Sequence, residues 1–191
     1  MKLNRKWLHE EFVDLSHVSD REYVEKLTVF GQKVETWERM DSEIKNVVVG
    51  KVLEIVRHEN SDHMWVCQID VGEEEPVQIV TGAQNVQQGD LVPAALNDSY
   101  LPNGMHIVSG KLRGVDSHGM LCSGEELCLT EAEYEGASVH GILILKETHP
   151  VGTDMREVLG LDDYIIDFKI TANRPDCNCF LGVAKEIGVV L

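Results

Sequence analysis

The residues best suited to chemistry stand together in the stretch KLRGVDSHGMLCS, residues 111–123. It carries two cations, Lys111 and Arg113, and the hydroxyls of Ser117 and Ser123. On a strand, alternation would place both cations on one face and the residue between them on the other. Two interpretations stay open from these letters: a solvated hairpin, or a surface that offers positive charge and hydroxyls to a sugar–phosphate backbone.

Metal chemistry finds little support elsewhere in the chain. His58 and His63 are five positions apart, and Cys177 with Cys179 forms a C-x-C. Zinc sites generally need four ligands in paired spacings, and no second pair accompanies either of these. We therefore predict turn histidines, cysteines at the start of a helix, and no metal site.

Nucleophilic and acid–base catalysis are not indicated either. The chain lacks G-x-S-x-G, a P-loop and G-x-G-x-x-G after a strand. Ser117 beside His118 forms no dyad, because neighbours on a strand point to opposite faces. Asp162 with Asp163 is more simply a solvated turn than an acid–base pair. We predict no catalytic residue.

Charge limits what this chain can bind. Its net charge is −16, and residues 40–151 hold six Lys or Arg against eighteen Asp or Glu, a net of −12. An acidic surface repels phosphate. If Lys51, Arg57, Lys111 and Arg113 all met phosphates, affinity would fall with salt with a slope of only about −3. Any binding to a nucleic acid should be weak, with little sequence specificity.

Composition indicates an ordinary globular protein of the cytoplasm. Hydrophobic residues make up 43% and charged residues 26%. The five cysteines are odd in number and lack disulfide-scaffold spacing, which favours reduced thiols. The N-terminus lacks the apolar centre of a signal peptide, and no apolar run approaches the roughly 18 residues of a membrane span.

Helical patterns occupy both ends of the chain. Apolar residues at three- and four-residue spacing predict helices within residues 1–30 and beyond Pro175. Ser19 followed by Glu22 is a capping box, and Gly31 supplies a stop. The run YIIDFKI alternates like a strand.

The middle of the chain predicts strands instead. Turn residues separate short, β-branched runs, namely VVVGKVLEIV, MWVCQIDVG, VQIVTGA, LVPAAL and GILIL. This pattern favours a compact antiparallel sheet, most simply a small barrel, with one short helix at Glu125–Leu129. Flanks of about 40 residues rarely sustain a core alone, so we expect both to pack together as one discontinuous domain.

Several blocks resemble a known family. In order, they read HENSDHMWVCQIDVG, IVTGAQNVQQGDLV, LPNGMHI and GKLRGVDSHGMLCSGEELCL. They are similar to the tRNA-binding oligonucleotide-barrel domain that is appended to several tRNA-linked proteins. The resemblance implies an α+β fold: a five-stranded OB-type β-barrel over residues 40–151, inserted into a small discontinuous helical domain of residues 1–39 and 152–191.

The flanks extend the resemblance to essentially the whole chain. MKLNRKWLHEEFVDLS and DFKITANRPDCNCFLGVAKEIG look like the bacterial phenylalanyl-tRNA synthetase β-chain. In that family a much longer β-chain pairs with a catalytic α-chain in a two-plus-two tetramer, which joins phenylalanine to its tRNA using ATP and magnesium. The resemblance implies an N-terminal tRNA-binding and assembly segment that is non-catalytic alone and carries no cofactor of its own.

The resemblance also assigns residues. For RNA contact it indicates the residues of the barrel-face motif, Asn85, Lys111, Arg113, Ser117, Met120 and Ser123. Lys51 and Arg57 are added as RNA contacts because, with Lys111 and Arg113, they are most of the cations of residues 40–151. Gly82, Gly114 and Gly119 are expected as turn positions. The segment Asn173, Arg174, Pro175 and Asp176 is expected as a rigid helix entry, in which the proline presets the first turn and the arginine holds a carboxylate.

The chain departs from the family pattern in one loop, and two other functions stay open. His63 stands where the family has Lys, and Glu59 where it has Pro, so a cation is lost and an acid gained. Thr81 and Cys128 replace a Cys and a Gly. A free-standing tRNA-binding protein is an alternative if Leu191 is a natural terminus. The net of −12 on residues 40–151 favours a third possibility, a mainly structural or protein-docking module.

Overall fold

The structure is a computed structural model that describes residues 1–40 and 43–191. The chain divides into a terminal unit, Met1–Met40 with Leu161–Leu191, and a central unit, Asp41–Gly160. The strands are β1 Lys2–Asn4, β2 Lys33–Arg39, β3 Lys45–Arg57, β4 Trp65–Asp70, β5 Val77–Thr81, β6 Leu91–Tyr100, β7 His106–Ile107, β8 Gly110–Leu112, β9 Val115–Ser117, β10 Gly119–Leu121 and β11 Tyr164–Lys169. The helices are α1 Arg5–Glu11, α2 Asp20–Phe30, α3 Met155–Val158 and α4 Phe180–Val190.

The predicted mixture of helices and strands is confirmed, but the terminal unit is not purely helical. It holds a three-stranded antiparallel sheet of order β1-β11-β2. Strand β2 was not predicted from the sequence. Six of its seven residues are exposed and Val34 alone is buried, so the strand has no alternation of apolar and polar residues that could be detected. Side chains of both halves of the chain share one core, with Leu8, Tyr23, Leu27, Ile166, Phe168 and Ile187 among them.

Helix α2 begins as its sequence indicates. The Ser19 side chain accepts a hydrogen bond from the backbone N–H of Glu22 at 3.3 Å, which satisfies one of the free donors of the first turn. The Glu22 carboxylate pairs forward with Lys26 at 2.8 Å. Only the serine half of the predicted capping box is therefore recorded in the structure.

Asp163 corrects the prediction of a solvated turn. Its side chain is buried, with 4% of the residue exposed, while its neighbour Asp162 is solvated and pairs with the Lys6 ammonium at 3.0 Å. The Asp163 carboxylate accepts hydrogen bonds from the backbone N–H groups of Lys6 at 2.9 Å and Tyr164 at 2.7 Å. Asn4 makes no side-chain cap for α1, so a carboxylate 157 residues away caps this helix instead.

The central unit is a curled antiparallel sheet. Its strand order is β10-β6-β3-β4-β5, and β7 pairs with β6. Strand β3 is 13 residues long and has a register irregularity between Val52 and Glu54. The ends of the sheet meet, because His118 N–H donates to the Gln78 carbonyl at 2.9 Å and the Gln78 side chain donates to the Asp116 carbonyl at 2.7 Å.

Residues 152–160 lie with the central unit, whereas the predicted boundary fell at 152. Thr153 and Gly152 exchange backbone hydrogen bonds of 2.8 Å with Val49 of β3, and Met155 of α3 is fully buried. This contact could not be read from local composition. The other predicted boundary, at residue 40, adjoins residues 41–42, which lie outside the described part of the chain.

Two further expectations for the central unit are wrong. Residues 124–128 form turns, not a helix, and Cys128 has a φ of +53°. GILIL is no strand of the sheet, although Leu143 and Leu145 donate to the carbonyls of Cys122 and Leu91 at 3.0 and 2.8 Å. No helix in residues 1–40 and 43–191 combines the length and apolar character needed to cross a bilayer.

Candidate nucleic-acid interface

A cleft of about 660 Å³ opens in the central unit. Strands β5 and β10 line it, with Leu112 of β8 and the segment 137–142. Three of the residues singled out in the sequence contribute to its lining, Gly82, Met120 and Ser123, and so does Leu112, the residue between Lys111 and Arg113. The structure therefore brings part of the predicted motif around one concave surface.

We call Arg57, Lys111 and Arg113 the cationic rim, because one hydrogen bond joins the chain segments that carry them and Leu112, which lies between the last two, lines the cleft. The His58 side chain, directly after Arg57, hydrogen-bonds to the Leu112 carbonyl at 3.1 Å, and Leu112 lies between the other two cations. The Arg57 guanidinium sits 5.3 Å from the centre of the Trp65 ring. Trp65 is itself held by a 3.2 Å hydrogen bond to Gln84.

The hairpin between β8 and β9 presents its charges to solvent. Arg113 and Gly114 have φ of +48° and +92°, the two positive values that a two-residue type I′ turn requires. Arg113, at the tip, has no ion-pair partner among the described residues. Lys111 lies 3.5 Å from Asp116, and both side chains are largely exposed, so this pair neutralises little.

Lys51 does not join the rim. Lys51 lies on β3, six residues before Arg57, and pairs with Asp70 of β4 on one side and Leu91 of β6 on the other. At the rise of a strand this separates the two residues by roughly 20 Å. Lys51 therefore lies far along β3 from the segment that the His58–Leu112 bond joins to the hairpin.

Three of the predicted RNA contacts make hydrogen bonds inside the protein, and their contact with RNA stays a prediction. Ser117 is 4% exposed; its hydroxyl accepts from Val80 N–H and donates to the Gly119 carbonyl, both at 3.0 Å. Asn85 exchanges side-chain hydrogen bonds of 2.8 and 3.0 Å with the backbone of Ile142. These groups already have partners inside the protein.

Ser123 is the third of them. Its hydroxyl donates to the Glu126 carboxylate at 2.8 Å and accepts from Glu126 N–H at 3.1 Å. The pattern resembles a capping box, although turns follow and not a helix. Met120 is half-buried and contributes an apolar side chain to the cleft lining.

The acidic segment that precedes the cleft-lining residues 137–142 uses its carboxylates internally. Glu131 accepts from the N–H groups of Gly136 at 2.8 Å and Ser138 at 3.0 Å, and these bonds lower the pKa of its carboxyl. Glu133 accepts from the hydroxyl and N–H of Thr130, which lowers its pKa likewise. The acidic side chains of this segment therefore help to form its turns, a role that its composition did not indicate.

The three glycines differ in what they require. Gly114 has a φ of +92°, which favours glycine, as expected for a turn position. A Cβ on Gly119 would collide with the Ala95 carbonyl, so close approach of β10 to β6 explains it and not a turn. Gly82 shows neither constraint, because its nearest neighbour to an added Cβ, the His63 carbonyl, lies 3.9 Å away.

The helix-entry motif lies in the terminal unit. Pro175 begins a 3₁₀ helix, Pro175–Asn178, after a turn that contains Asn173. Arg174 donates to both oxygens of Asp176 at 3.1 and 2.9 Å and to both oxygens of Glu186 at 2.9 and 2.8 Å. These bonds lower the pKa of Asp176 to about 2, lower that of Glu186 and raise that of Arg174.

No group of three or more His, Cys, Asp and Glu in the described residues is arranged to hold a metal ion. His58 is buried and bonded to backbone, and Cys177 is buried while Cys179 is exposed. All five cysteines are free thiols. Burial raises the pKa of Cys67 to about 11 and that of Cys122 to about 12, which keeps both protonated at neutral pH.

Comparison with known proteins supports the resemblance seen in the sequence. A family model described as a putative tRNA-binding domain matches residues 47–154. Over its whole length the chain is 47% identical to the phenylalanine–tRNA ligase beta subunit of Clostridium acetobutylicum, covering 23% of that protein. It is 39% identical to the corresponding subunit of Geobacillus kaustophilus, covering 24%. The chain thus spans about a quarter of the length of these relatives.

Solved structures show a more distant likeness. The C-terminal domain of Plasmodium vivax p43 aligns with a TM-score of 0.41 and 24% identity, over 59% of each chain. A MetRS-related protein from Pyrococcus horikoshii aligns with a TM-score of 0.39 and 24% identity, over 56% of this chain and 85% of that one.

Proposed function

This chain belongs to the putative tRNA-binding domain family, and we propose that its central unit contacts the sugar–phosphate backbone of tRNA through the cationic rim and the adjoining cleft. The observation that carries the proposal is the His58–Leu112 hydrogen bond, which places the chain at Arg57 beside the hairpin that carries Lys111 and Arg113, while Leu112 lines the cleft. Phosphate contacts of this kind position a nucleic acid without reading its sequence. The binding is therefore weak and largely sequence-independent.

The proposal includes the finer architecture. The central unit is an OB-type barrel whose five strands are β10, β6, β3, β4 and β5, inserted into the discontinuous terminal unit. The strand order and the His118–Gln78 hydrogen bond support closure of the sheet. In OB folds the second and third strands and their flanking loops bind oligonucleotides, which here correspond to β4, β5 and the turn after His58.

The larger assembly is proposed from the relatives. The chain is an N-terminal segment of a cytoplasmic phenylalanine–tRNA ligase β subunit, which works with an α chain in a two-plus-two tetramer. The complete enzyme joins phenylalanine to tRNA using ATP and magnesium. Identity of 47% over all 191 residues supports this assignment. In this proposal the described residues position tRNA for the enzyme and carry no chemical step themselves.

A pair of double variants tests the tRNA contact in this 191-residue chain. Lys111→Ala with Arg113→Ala removes two rim cations, and Lys45→Ala with Lys51→Ala removes two exposed cations of β3 outside the rim. Fluorescence anisotropy with labelled tRNA measures affinity across a salt series. The rim variant should lose about tenfold or more at 0.15 M salt, and its salt slope should fall by about 2, because each phosphate contact contributes roughly 0.9.

The control should stay close to the parent chain. Equal losses in both variants would show that only total charge matters, and an unchanged affinity in the rim variant would remove the proposed interface. Absence of measurable tRNA binding would favour the second candidate, a structural or protein-docking module. The net of −12 on residues 40–151 is the observation in its favour.

A further inference from the structure

His58 is a buried histidine with a partner on each ring nitrogen. The residue is 3% exposed and stands at the end of β3. Its Nδ1 lies 3.0 Å from the Asn60 backbone nitrogen, and its Nε2 lies 3.1 Å from the Leu112 carbonyl oxygen. The Asn60 N–H can only donate, so Nδ1 is the acceptor. Nε2 is therefore the donor to Leu112, so the two hydrogen bonds fix the orientation of the ring.

The hydrogen bond to Leu112 joins positions 54 residues apart. Strand β8 pairs only with β9 and belongs to a separate two-stranded sheet. All three of its residues are exposed. Among the described residues, no hydrogen bond other than that of His58 joins the β8 backbone to a residue outside the hairpin.

The return strand is attached more firmly. Gln78 donates to the Asp116 carbonyl at 2.7 Å, Val80 N–H donates to the Ser117 hydroxyl at 3.0 Å, and Ser117 is buried. The hairpin is thus anchored along β9 by two bonds to β5. On the β8 side, Ser109 N–H donates to the Asn97 side chain at 2.8 Å just before the strand, and His58 holds the strand itself at Leu112.

We propose that His58 is a positioning residue for the tRNA contact. It holds β8 against the end of β3, so that Lys111 and Arg113 stand beside Arg57 at the edge of the cleft. The effect of His58 on RNA binding rests on the proposed function. The structural half of the proposal, the attachment of β8, is independent of RNA.

Two amide variants separate the two hydrogen bonds of the ring. The side-chain NH₂ of His58→Gln reaches the place of Nε2 and can donate to Leu112, but it leaves Asn60 N–H without its acceptor. The side-chain oxygen of His58→Asn takes the place of Nδ1 and accepts from Asn60, but this shorter side chain cannot reach Leu112. The proposal requires glutamine, and not asparagine, to preserve the rim.

Limited trypsin digestion of the 191-residue chain reports on the hairpin without RNA, because trypsin cleaves after Lys111 and Arg113. His58→Asn should raise cleavage there about fivefold, the effect of one lost hydrogen bond on a local opening equilibrium. His58→Gln should stay within about twofold of the parent rate. Cleavage after Lys146, in the same unit, should not change in either variant.

Affinity for labelled tRNA is measured on the same samples. His58→Asn should approach the Lys111→Ala, Arg113→Ala variant, and His58→Gln should resemble the parent. Unchanged cleavage in His58→Asn, or equal acceleration after Lys146, would overturn the attachment of β8. Faster hairpin cleavage with unchanged tRNA affinity would instead overturn the tRNA contact of the rim and leave His58 a purely structural tie.

Discussion

Two arginines show how differently the two units use charge. In the terminal unit, Arg174 donates four hydrogen bonds to Asp176 and Glu186. In the central unit, Arg113 occupies the tip of a tight turn and has no ion-pair partner among the described residues. Both belong to sequence motifs, yet only the second is free to meet a ligand. A cationic side chain in a sequence motif indicates a binding role only when it is not already paired with carboxylates of the same protein.

The contrast extends to how each unit connects distant parts of the chain. The terminal unit relies on charged hydrogen bonds, such as Asp163 to Lys6 and the N-terminal ammonium to Asp167 at 2.9 Å. The central unit is joined chiefly by backbone ladders between strands, with acids such as Glu131 closing local turns. Charge removal should therefore harm stability in the terminal unit and ligand binding in the central one.

The largest effect on stability is expected at Asp163. Asp163→Ala should lower the free energy of unfolding by about 2–3 kcal/mol, because it leaves two backbone N–H groups without their charged acceptor. The exposed neighbour offers a matched control, and Asp162→Ala should cost about 0.5 kcal/mol or less. Urea denaturation followed by tryptophan fluorescence measures both. Equal costs would show that burial of Asp163 does not matter.

An intermediate effect is expected where backbones meet in the central unit. Gly119→Ala should destabilise the chain by about 1–3 kcal/mol, since its methyl group would press on the Ala95 carbonyl. Gly82→Ala should change stability by no more than about 0.5 kcal/mol. Thermal melts of the two variants test this pair of expectations. A large cost at Gly82 would mean that this glycine is needed by the fold after all.

The smallest effect concerns acid, since the Arg174 cluster is only partly buried and solvent screens it. Asp176 titrates near pH 2 and Glu186 below its usual range, because Arg174 binds their ionised forms. Because the pKa of each carboxyl is lower in the folded chain than in the unfolded chain, its ionised form stabilises the folded chain above about pH 4. This stabilisation is lost as the pH falls toward 2. Arg174→Met should remove it.

Unfolding midpoints from pH 7 to pH 2 provide the measurement. The parent chain should be the more stable at pH 7, and the difference between the two proteins should shrink below about pH 4. A difference that stays constant over this range would show that the arginine acts through packing of its aliphatic part and not through its ion pairs.

Local features of the fold were predictable because they depend on neighbouring residues. The three- and four-residue spacing of apolar side chains indicated α2 and α4, and the Ser19 side chain does cap α2. Alternation indicated β11. Strand β2 could not be found in the same way, since it is held by pairing with β11 and not by an apolar face of its own.

The candidate site divides along the same line. The sequence by itself determined the family, the cations and the tight turn of the hairpin, because those follow from residue identities and local backbone preferences. Only the tertiary structure decided that the end of β3 at Arg57 is joined to the hairpin of Lys111 and Arg113, and that Ser117 and Asp163 are buried. Such outcomes depend on contacts across 54 or 157 positions, which packing of the whole chain selects and local sequence does not encode.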